Sequence, residues 1–374
     1  MNRHNIPAHL IHALSVYVLE QARALQAIPA PSLAETQRAN YLKDQFTQLG
    51  FSAKQDDVGN VLVCLSGGGK APLVLTAHLD SVFSADQVLS SRHVEGRLIG
   101  PGIGDNALGL ASLLGLARFW EDLNIDLPGS LWLVASVGEE GHGDLKGMKA
   151  IVQRFGSQPV AYVILEGIGL GRIVHRALAV RRFRVRVQTP GGHPWVLRET
   201  SSAVHILIML AHEILQLSLP ATPRTVLNIG VIQGGVSVNT RAPEAWMDVE
   251  LRSEATLPLE HLEAEIRRLI HSYRGWHKTA KIDLLAMGSR PAGEIPPHHP
   301  LVQKAVQCLS SLGIEVTLEQ ASTDANAPLS QGYPAICLGL ARGGRAHTED
   351  EFIEVESVSL GLQQVLCLIQ KVWD

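Results

Sequence analysis

Acidic and imidazole side chains directly follow apolar, strand-like runs at several places in this sequence of 374 residues. His78 and Asp80 come just after "LVLTA", and Glu139 and Glu140 come just after "SLWLVASVG". Two adjacent carboxylates repel one another, and each raises the pKa of the other. The sequence therefore raises the question of which positive charge allows Glu139 and Glu140 to lie side by side.

Two more carboxylates occur in similar places. Asp105 lies in the glycine-rich stretch "GPGIGDNALG", before a helix-like segment, and Glu166 follows the apolar "VIL". Ligands of an open parallel sheet bind beyond the carboxyl ends of the strands, so we expect these side chains to meet at one edge. A pair of divalent cations would offset the repulsion there, and Asp105 is suited to bridge them. Histidine and carboxylate donors without cysteine favour zinc, with cobalt or manganese as alternatives.

Each of these residues also has a simpler interpretation. His78 with Asp80 fits a solvated ion pair, the two glutamates fit the first turn of a helix, and Asp105 fits a helix cap. Glu166 alone fits a polar turn. Four separate segments that deliver such groups to one sheet edge favour a metal centre, in which one of the two adjacent glutamates takes a proton from the attacking water.

The elements that must position these residues predict an α/β fold. The runs near residues 61–65, 73–77, 130–137 and 160–166 are mostly apolar throughout, as in strands buried on both faces of a parallel sheet. From Ala179 the pattern changes to a β-α-β-β-α-β order that resembles a ferredoxin-like unit. We therefore predict a discontinuous catalytic metal-binding domain of mostly parallel sheet, residues 1–178 and 291–374, with an inserted α+β domain at 179–290.

Composition narrows the class of protein. A net charge of −4 with 18% charged residues gives no basic footprint for nucleic acid. The sequence shows no signal peptide and no long apolar span, so we predict a cytoplasmic protein that does not engage the membrane. The four cysteines are scattered without a Cys-x-x-Cys pair, which predicts no disulfide framework.

Six short motifs then occur in a fixed order: "HLD", "GPGIGDNALG", "GEEG", "LEG", "GGHPW" and "GGRAHTEDE". Together they resemble the dinuclear-zinc peptidase family that includes tripeptidase T, aminoacylase, succinyl-diaminopimelate desuccinylase and glutamate carboxypeptidase. The stretches "IPAPSLAETQRANYL" and "STDANAPLSQGYPAI" are most similar to the tripeptidase T-like branch. The resemblance covers essentially the whole chain and implies a zinc-exopeptidase fold whose inserted domain serves as a lid and dimerisation domain.

The resemblance also implies a role for each matching residue. Glu139 would be the general base and acid, and Asp80 would hold the imidazole of a metal-binding histidine in the correct tautomer. Two zinc ions would share one carboxylate in a ligand set made of His78 and Glu166 for one ion, Glu140 and His347 for the other, and Asp105 as the bridge. For His347 a free histidine in a polar loop is the alternative.

Three residues of the inserted domain match family residues that act on the substrate. His193 of "GGHPW" corresponds to a histidine that stabilises the tetrahedral intermediate and that reaches across from the partner subunit in family dimers. Asn239 and Arg252 correspond to substrate contacts, and Arg252 is suited to pair bidentately with a carboxylate. Simple turn or exposed-strand roles stay open for all three.

The sequence thus predicts a dizinc metallohydrolase that cleaves a peptide or peptide-like amide bond. An exopeptidase of the aminopeptidase or tripeptidase type, acting on short peptides as a homodimer, is the leading hypothesis. The alternatives are an N-acyl-amino-acid deacylase or a carboxypeptidase of the same family, with N-acyl amino acids as substrates in the first case. A further alternative is an inactive dimeric binding protein.

Overall fold

The computed structural model describes residues 6–196 and 201–374, and the chain divides into two compact units. The first unit comprises Met1–Ala177 and Glu294–Asp374, and the second comprises Leu178–Gly293. Each unit has a hydrophobic core of its own. The lid and dimerisation roles expected for residues 179–290 concern function and stay predictions.

Strands and helices alternate along much of the chain, and their bounds in both units are as follows. The strands are β1 Lys54–Gln55, β2 Val61–Leu65, β3 Lys70–His78, β4 Arg92–Val94, β5 Arg97–Ile99, β6 Gly129–Ser136, β7 Ala161–Ile168, β8 Arg172–Ala177, β9 Ala179–Gln188, β10 Thr225–Gly234, β11 Glu244–Ser253, β12 Lys281–Arg290, β13 Gly293–Glu294, β14 Thr317–Ala321, β15 Ala335–Ala341, β16 Gly343–Gly344 and β17 Phe352–Glu354. The helices are α1 Ala8–Gln26, α2 Thr36–Gln48, α3 Gly109–Arg118, α4 Trp120–Leu123, α5 Lys146–Phe155, α6 Ala203–Leu215, α7 Thr256–Trp276, α8 Pro300–Ser311, α9 Asn326–Leu329 and α10 Val358–Lys371. Within the described ranges, no helix is both long enough and apolar enough to cross a membrane.

A nine-stranded sheet forms the centre of the first unit, in the order β1-β2-β6-β3-β7-β15-β8-β13, with β14 beside β8. Its middle strands β6, β3, β7 and β15 run parallel to one another. Their side chains are almost all buried, which explains the continuous apolar runs of the sequence. The predicted α/β class with a mostly parallel sheet is confirmed.

A small second sheet, in the order β16-β17-β5-β4, lies in the same unit. Strand β17 pairs antiparallel with β5, so that Phe352 lies opposite Ile99 and Glu354 lies opposite Arg97. The loop between β16 and β17 carries His347, and the segment after β5 leads to Asp105. This pairing therefore brings the histidine loop beside the aspartate segment, although the strands are too short to show any periodicity in the sequence.

The buried Arg38 fastens α2 to the residue between two predicted site residues. Its Nη1 donates to the carbonyl oxygen of Leu79 at 2.8 Å, and its Nε and Nη2 donate to that of Ile28 at 3.1 and 2.6 Å. Burial lowers the pKa of this guanidinium to about 10, so Arg38 is still charged at neutral pH. Leu79 is thereby fixed between His78 and Asp80.

The second unit has the element order β9-α6-β10-β11-α7-β12, and its antiparallel sheet has the strand order β10-β11-β9-β12. This is the predicted ferredoxin-like order of elements. The buried side of β9 presents Phe183, Val185 and Val187 to the core that α6 and α7 complete. The other side presents arginines that pair across to acidic residues of β11, as in Arg184 with Asp248 at 2.7 Å.

The cysteines differ from the sequence-based expectation at one pair. Cys308 of α8 and Cys367 of α10 form a disulfide, with their Cα atoms 5.8 Å apart. The expectation failed because the two residues are 59 positions apart in the chain and meet only where the two helices pack. Cys64 and Cys337 are free.

Candidate metal centre

The predicted ligands of the first unit lie at the carboxyl ends of neighbouring parallel strands. His78 is the last residue of β3, Glu140 lies in the turn after β6, and Glu166 lies near the end of β7. Asp105 comes from the kinked helical segment Ile103–Leu108, which leads into α3. Leu108 holds the N-cap position of α3, so Asp105 is not the N-cap residue that its alternative interpretation made it. Parallel strands thus deliver these groups to one edge.

The carboxylate of Asp105 lies between two imidazoles. Its Oδ1 is 2.9 Å from Nε2 of His78, and its Oδ2 is 3.0 Å from Nε2 of His347. The same nitrogen of His347 is 3.0 Å from Oε1 of Glu140, and Nε2 of His78 is 3.5 Å from Oε2 of Glu166. The five predicted ligands therefore form one connected cluster.

The chemistry of this donor set fits divalent cations. Imidazole nitrogens and carboxylate oxygens are donors that zinc, cobalt and manganese accept. Within each of two groups the donor atoms lie within 4.8 Å of one another: His78, Asp105 and Glu166 in one, and Asp105, Glu140 and His347 in the other. Asp105 belongs to both groups and turns one oxygen toward each histidine, an arrangement that suits a carboxylate shared by two cations.

The pKa values of the cluster show that its carboxylates favour positive charge beside them. Burial lowers the pKa of His78, but Glu166 and Asp105 outweigh burial and hold that pKa well above its ordinary value of 6.5. Hydrogen bonds to Asp105 and Glu140 raise the pKa of His347 to about 10. Burial raises the pKa of Glu166 to about 7, against the opposing charge of His78. Protons on the histidines thus supply the charge that a bound cation would replace.

Asp80 organises the turn that carries the two adjacent glutamates. Its carboxylate accepts hydrogen bonds from the backbone N–H groups of Glu139 and Glu140, both at 2.8 Å. Its own backbone carbonyl is 3.0 Å from Nδ1 of His78, closer than its carboxylate oxygen at 3.5 Å. The side chain of Asp80 thus binds the glutamate turn more closely than it binds the imidazole, which is an addition to its expected role.

The amino-terminal segment supports the same turn from the other side. Ser32 donates through Oγ to Oδ2 of Asp80 at 2.6 Å. Oε1 of Glu35 accepts from the backbone N–H of Gly138 at 2.9 Å, immediately before Glu139. Glu35 is 6% exposed. This contact explains why an acidic residue, Glu35, follows "PSLA", although the sequence alone predicted no role for it.

Glu351 is a second residue without a predicted role that contacts the site. It is fully buried, and its Oε1 accepts from the backbone N–H groups of Gly104 and Asp105, both at 2.7 Å, while Oε2 accepts from Gly102 at 3.3 Å. Burial raises its pKa to about 7. The sequence signal that could have indicated a role for Glu351 is its position four residues after His347, in the same loop.

The three predicted substrate residues belong to the second unit. His193 is exposed, and its Nδ1 accepts from the backbone N–H of Trp195 at 3.3 Å, which places the proton of the neutral ring on Nε2. Asn239 is exposed, and its Oδ1 accepts from Oγ of Ser237 at 2.9 Å. Arg252 binds Glu250 through two nitrogens, at 2.7 and 3.2 Å. The roles of these residues stay predictions.

Imidazole and carboxylate donors grouped at the carboxyl edge of a parallel sheet are typical of a site that binds divalent cations. The chain belongs to peptidase family M20/M25/M40, whose family model matches residues 74–371. The predicted family is therefore confirmed, and the protein is a hydrolase that acts on peptide bonds.

Individual proteins are similar to this chain in sequence or in fold. The uncharacterized protein YqjE of Bacillus subtilis (strain 168) is 24% identical over 380 residues, which cover 95% of this chain and 98% of YqjE. A probable carboxypeptidase of Arthroderma benhamiae is 25% identical over 256 residues, 61% of this chain and 53% of that protein. The structure of aminopeptidase PepT from Bacillus cereus ATCC 10987 has a similar fold, with a TM-score of 0.76 at 22% identity over 96% of this chain and 99% of PepT.

Proposed function

We propose that this protein is a dinuclear-metal exopeptidase that removes residues from the amino terminus of short peptides. The observation that carries the proposal is the carboxylate of Asp105, which lies 2.9 and 3.0 Å from two imidazoles and belongs to two separate groups of donors. A single cation would leave the carboxylates of the other group with only the proton of their histidine as charge compensation.

The ligand assignment follows the two groups. His78 and Glu166 hold one ion, Glu140 and His347 hold the other, and Asp105 is shared. Zinc is the proposed metal, with cobalt or manganese as alternatives, because the donors are nitrogen and oxygen without sulfur. When bound, such ions polarise the scissile carbonyl and make a water molecule acidic enough to act as the nucleophile near neutral pH.

Glu139 is the proposed general base and acid. It is 6% exposed, and one of its oxygens lies within 4.8 Å of donor atoms of His78 and Glu140. A buried carboxylate beside the reacting water takes the proton of that water and passes it to the nitrogen of the departing amine. The backbone hydrogen bond from Glu139 to Asp80 keeps the carboxylate in this place.

In the second unit, His193 is the proposed donor to the oxyanion of the tetrahedral intermediate. Its Nε2 carries the proton when Nδ1 accepts from Trp195, so the ring is ready to donate. Asn239 and Arg252 are the proposed substrate contacts. Because Arg252 already binds Glu250 through two nitrogens, a substrate carboxylate has to share this guanidinium with Glu250.

A homodimer formed through the second unit is part of the proposal. Strand β10 lies at an edge of its sheet and exposes Val226, Val231 and Ile232, while α6 exposes Ile208 and Met209. An open strand edge with apolar side chains is suited to pair with a second copy of the chain. The expected mass in light scattering is twice that of one chain, and a monomer at all concentrations would contradict this part. The cytoplasmic location stays a prediction.

A substrate panel tests the peptide specificity. Metal-loaded protein is given tripeptides with free amino termini, the same peptides with blocked amino termini, and N-acetyl and N-succinyl amino acids, each with added zinc, cobalt or manganese. Release of the first residue from free peptides alone supports an aminopeptidase. Release of the last residue would indicate a carboxypeptidase, and cleavage of only the acyl compounds would indicate a deacylase.

The role of Glu139 has a test of its own. Glu139→Ala should lower kcat by about 10²–10⁴-fold, the usual contribution of a general base, while two ions per chain remain bound. Glu140→Ala, its neighbour, is the matched control and should lose metal together with activity. Loss of metal from Glu139→Ala, with metal retained in Glu140→Ala, would mean that the two roles are exchanged.

The inactive binding protein is not favoured, because the family and the complete donor set both indicate a hydrolase.

A further inference from the structure

We propose that Asn106 is a positioning residue for Glu166, and that its side-chain amide takes the place of a missing neighbouring strand. The inference rests on the proposed function, in which Glu166 binds a metal ion. Asn106 directly follows the shared ligand Asp105 in sequence and is fully buried. It would therefore connect two ligands that come from different segments of the chain.

The contacts of Asn106 lie on both sides of Glu166. Its Nδ2 donates to the carbonyl oxygen of Leu165 at 2.8 Å, and its Oδ1 accepts from the backbone N–H of Gly167 at 3.1 Å. In a parallel ladder, a residue bonds in this way to the residues before and after its partner on the next strand. The amide of Asn106 thus imitates a strand residue paired with Glu166.

The sheet shows why an imitation is needed at this point. Strand β3 pairs with β7 from Leu73 opposite Ala161 to Thr76 opposite Ile164, and the pairing ends there. On its other side, β7 continues to pair with β15, where Gly339 lies opposite Glu166. Asn106 therefore completes the hydrogen bonding of β7 on the side that β3 has left.

The end of the pairing between β3 and β7 coincides with the position of the proposed ligands. Beyond this point, Nε2 of His78 at the end of β3 lies 2.9 Å from Oδ1 of Asp105 and 3.5 Å from Oε2 of Glu166. Without Asn106, the carbonyl of Leu165 and the N–H of Gly167 would be buried without partners, and the end of β7 would shift or admit water. A ligand needs to be held within about 0.5 Å of its binding geometry.

Glycines around Asn106 leave room for this contact. A Cβ atom on Gly109 would lie 2.1 Å from Oδ1 of Asn106, and one on Gly167 would lie 2.0 Å from the carbonyl oxygen of Gly104. Gly109 has ordinary helical angles, φ −58° and ψ −49°, so its backbone would accept alanine. The absence of a side chain at Gly109 therefore leaves room for Asn106 and for the carbonyl oxygen of Leu165, which would lie 3.0 Å from the same Cβ atom.

Two substitutions in the full-length chain test the inference. Asn106→Ala removes the amide, and Gly109→Ala leaves the amide but pushes it off Leu165 and Gly167. Metal-free protein is titrated with zinc in equilibrium dialysis, and anomalous diffraction at the zinc edge from crystals grown with limiting zinc shows which ion is present. In both variants we expect the ion at His78 and Glu166 to bind about 10–100-fold more weakly. The ion at Glu140 and His347 should change much less.

Asn60→Ala is the matched control. Asn60 is fully buried and also bonds to backbone on two sides, accepting from Val137 at 2.9 Å and donating to Gly147 at 3.0 Å, but it does not touch β7. Its loss should leave zinc at Glu166 unchanged. The inference is overturned if folded Asn106→Ala and Gly109→Ala bind this ion as the wild type does, or if Asn60→Ala weakens it equally. The proposed function fails separately, in the substrate panel.

Discussion

The carboxylate of Glu351 illustrates how single residues hold the site without touching a metal. It lies in the same loop as the predicted ligand His347, and it accepts hydrogen bonds from the backbone of Asp105 and Gly104. Asp80 does the same for the glutamate turn, two residues after His78 in the chain. A segment that supplies a ligand thus also supplies the support for a ligand on another segment.

Glu351→Ala should destabilise the metal-free protein by about 2–4 kcal/mol, because buried backbone N–H groups, including those of Gly104 and Asp105, lose their acceptor. Urea unfolding at pH 7 measures the change. Glu354→Ala is the control, since the side chain of Glu354 forms a 3.8 Å ion pair with the half-exposed Arg97, and its loss should cost less than about 0.5 kcal/mol. Equal effects of the two substitutions would contradict the role of Glu351.

Two short strands fix the position of the loop that carries His347. Strands β5 and β17 pair over three residues each, and the backbone N–H of Gly100 donates to the carbonyl oxygen of Glu351 at 2.8 Å just beyond them. His347 itself has φ 65°, a left-handed conformation that is uncommon outside glycine. The pairing of β5 with β17 fixes the loop in which this conformation occurs.

The ion pairs on the sheet of the second unit predict how the stability of the protein depends on pH. Burial raises the pKa of Glu250, but hydrogen bonds from Arg252 and Arg182 outweigh burial and hold it below its ordinary value of 4.5. A group with a lowered pKa in the folded state stabilises the protein fully above pH 4.5, and this contribution disappears as the pH falls through the folded pKa. Glu250→Gln should therefore cost about 0.5–1.5 kcal/mol at pH 7, and the cost should shrink below pH 4.5.

Urea unfolding of wild type and Glu250→Gln between pH 3 and pH 7 measures this dependence. The control is Glu260→Gln, because Glu260 is exposed on α7. Its effect should stay near zero throughout this range. A cost of Glu250→Gln that stays constant from pH 7 to pH 3 would show that the ion pairs with Arg182 and Arg252 do not stabilise the sheet.

Sequence predicted the elements with strong patterns and missed those that depend on tertiary contacts. The continuous apolar runs indicated the parallel strands, and therefore the common edge for His78 and Glu166. The role of Asn106 could not be predicted, because it depends on the residue at which β3 leaves β7. The disulfide between Cys308 and Cys367 could not be predicted either, because only the packing of α8 against α10 brings these cysteines together.

For the molecule as a whole, the two units have separate cores, and the chain passes between them twice, after Ala177 and after Gly293. The first unit ends at Ala177 and resumes at Glu294. These ends are close, because Nε of Arg176 is 2.7 Å from Oε2 of Glu294, and the backbone N–H of Ile295 donates to the carbonyl oxygen of His175 at 3.1 Å. The second unit is therefore an insertion whose removal leaves two chain ends that a short linker can join.

Replacement of residues 178–293 by a short glycine-serine linker should give a folded first unit that binds zinc as the full chain does. The core of the first unit and all five proposed ligands lie outside the deleted segment. Hydrolysis of the best peptide substrate should fall by at least about 10²-fold, because the proposed oxyanion donor His193 is lost. Circular dichroism, zinc dialysis and kcat/KM measure the three outcomes. Loss of zinc binding by a folded deletion variant would mean that the second unit takes part in the metal centre. Full activity would remove His193 from the mechanism.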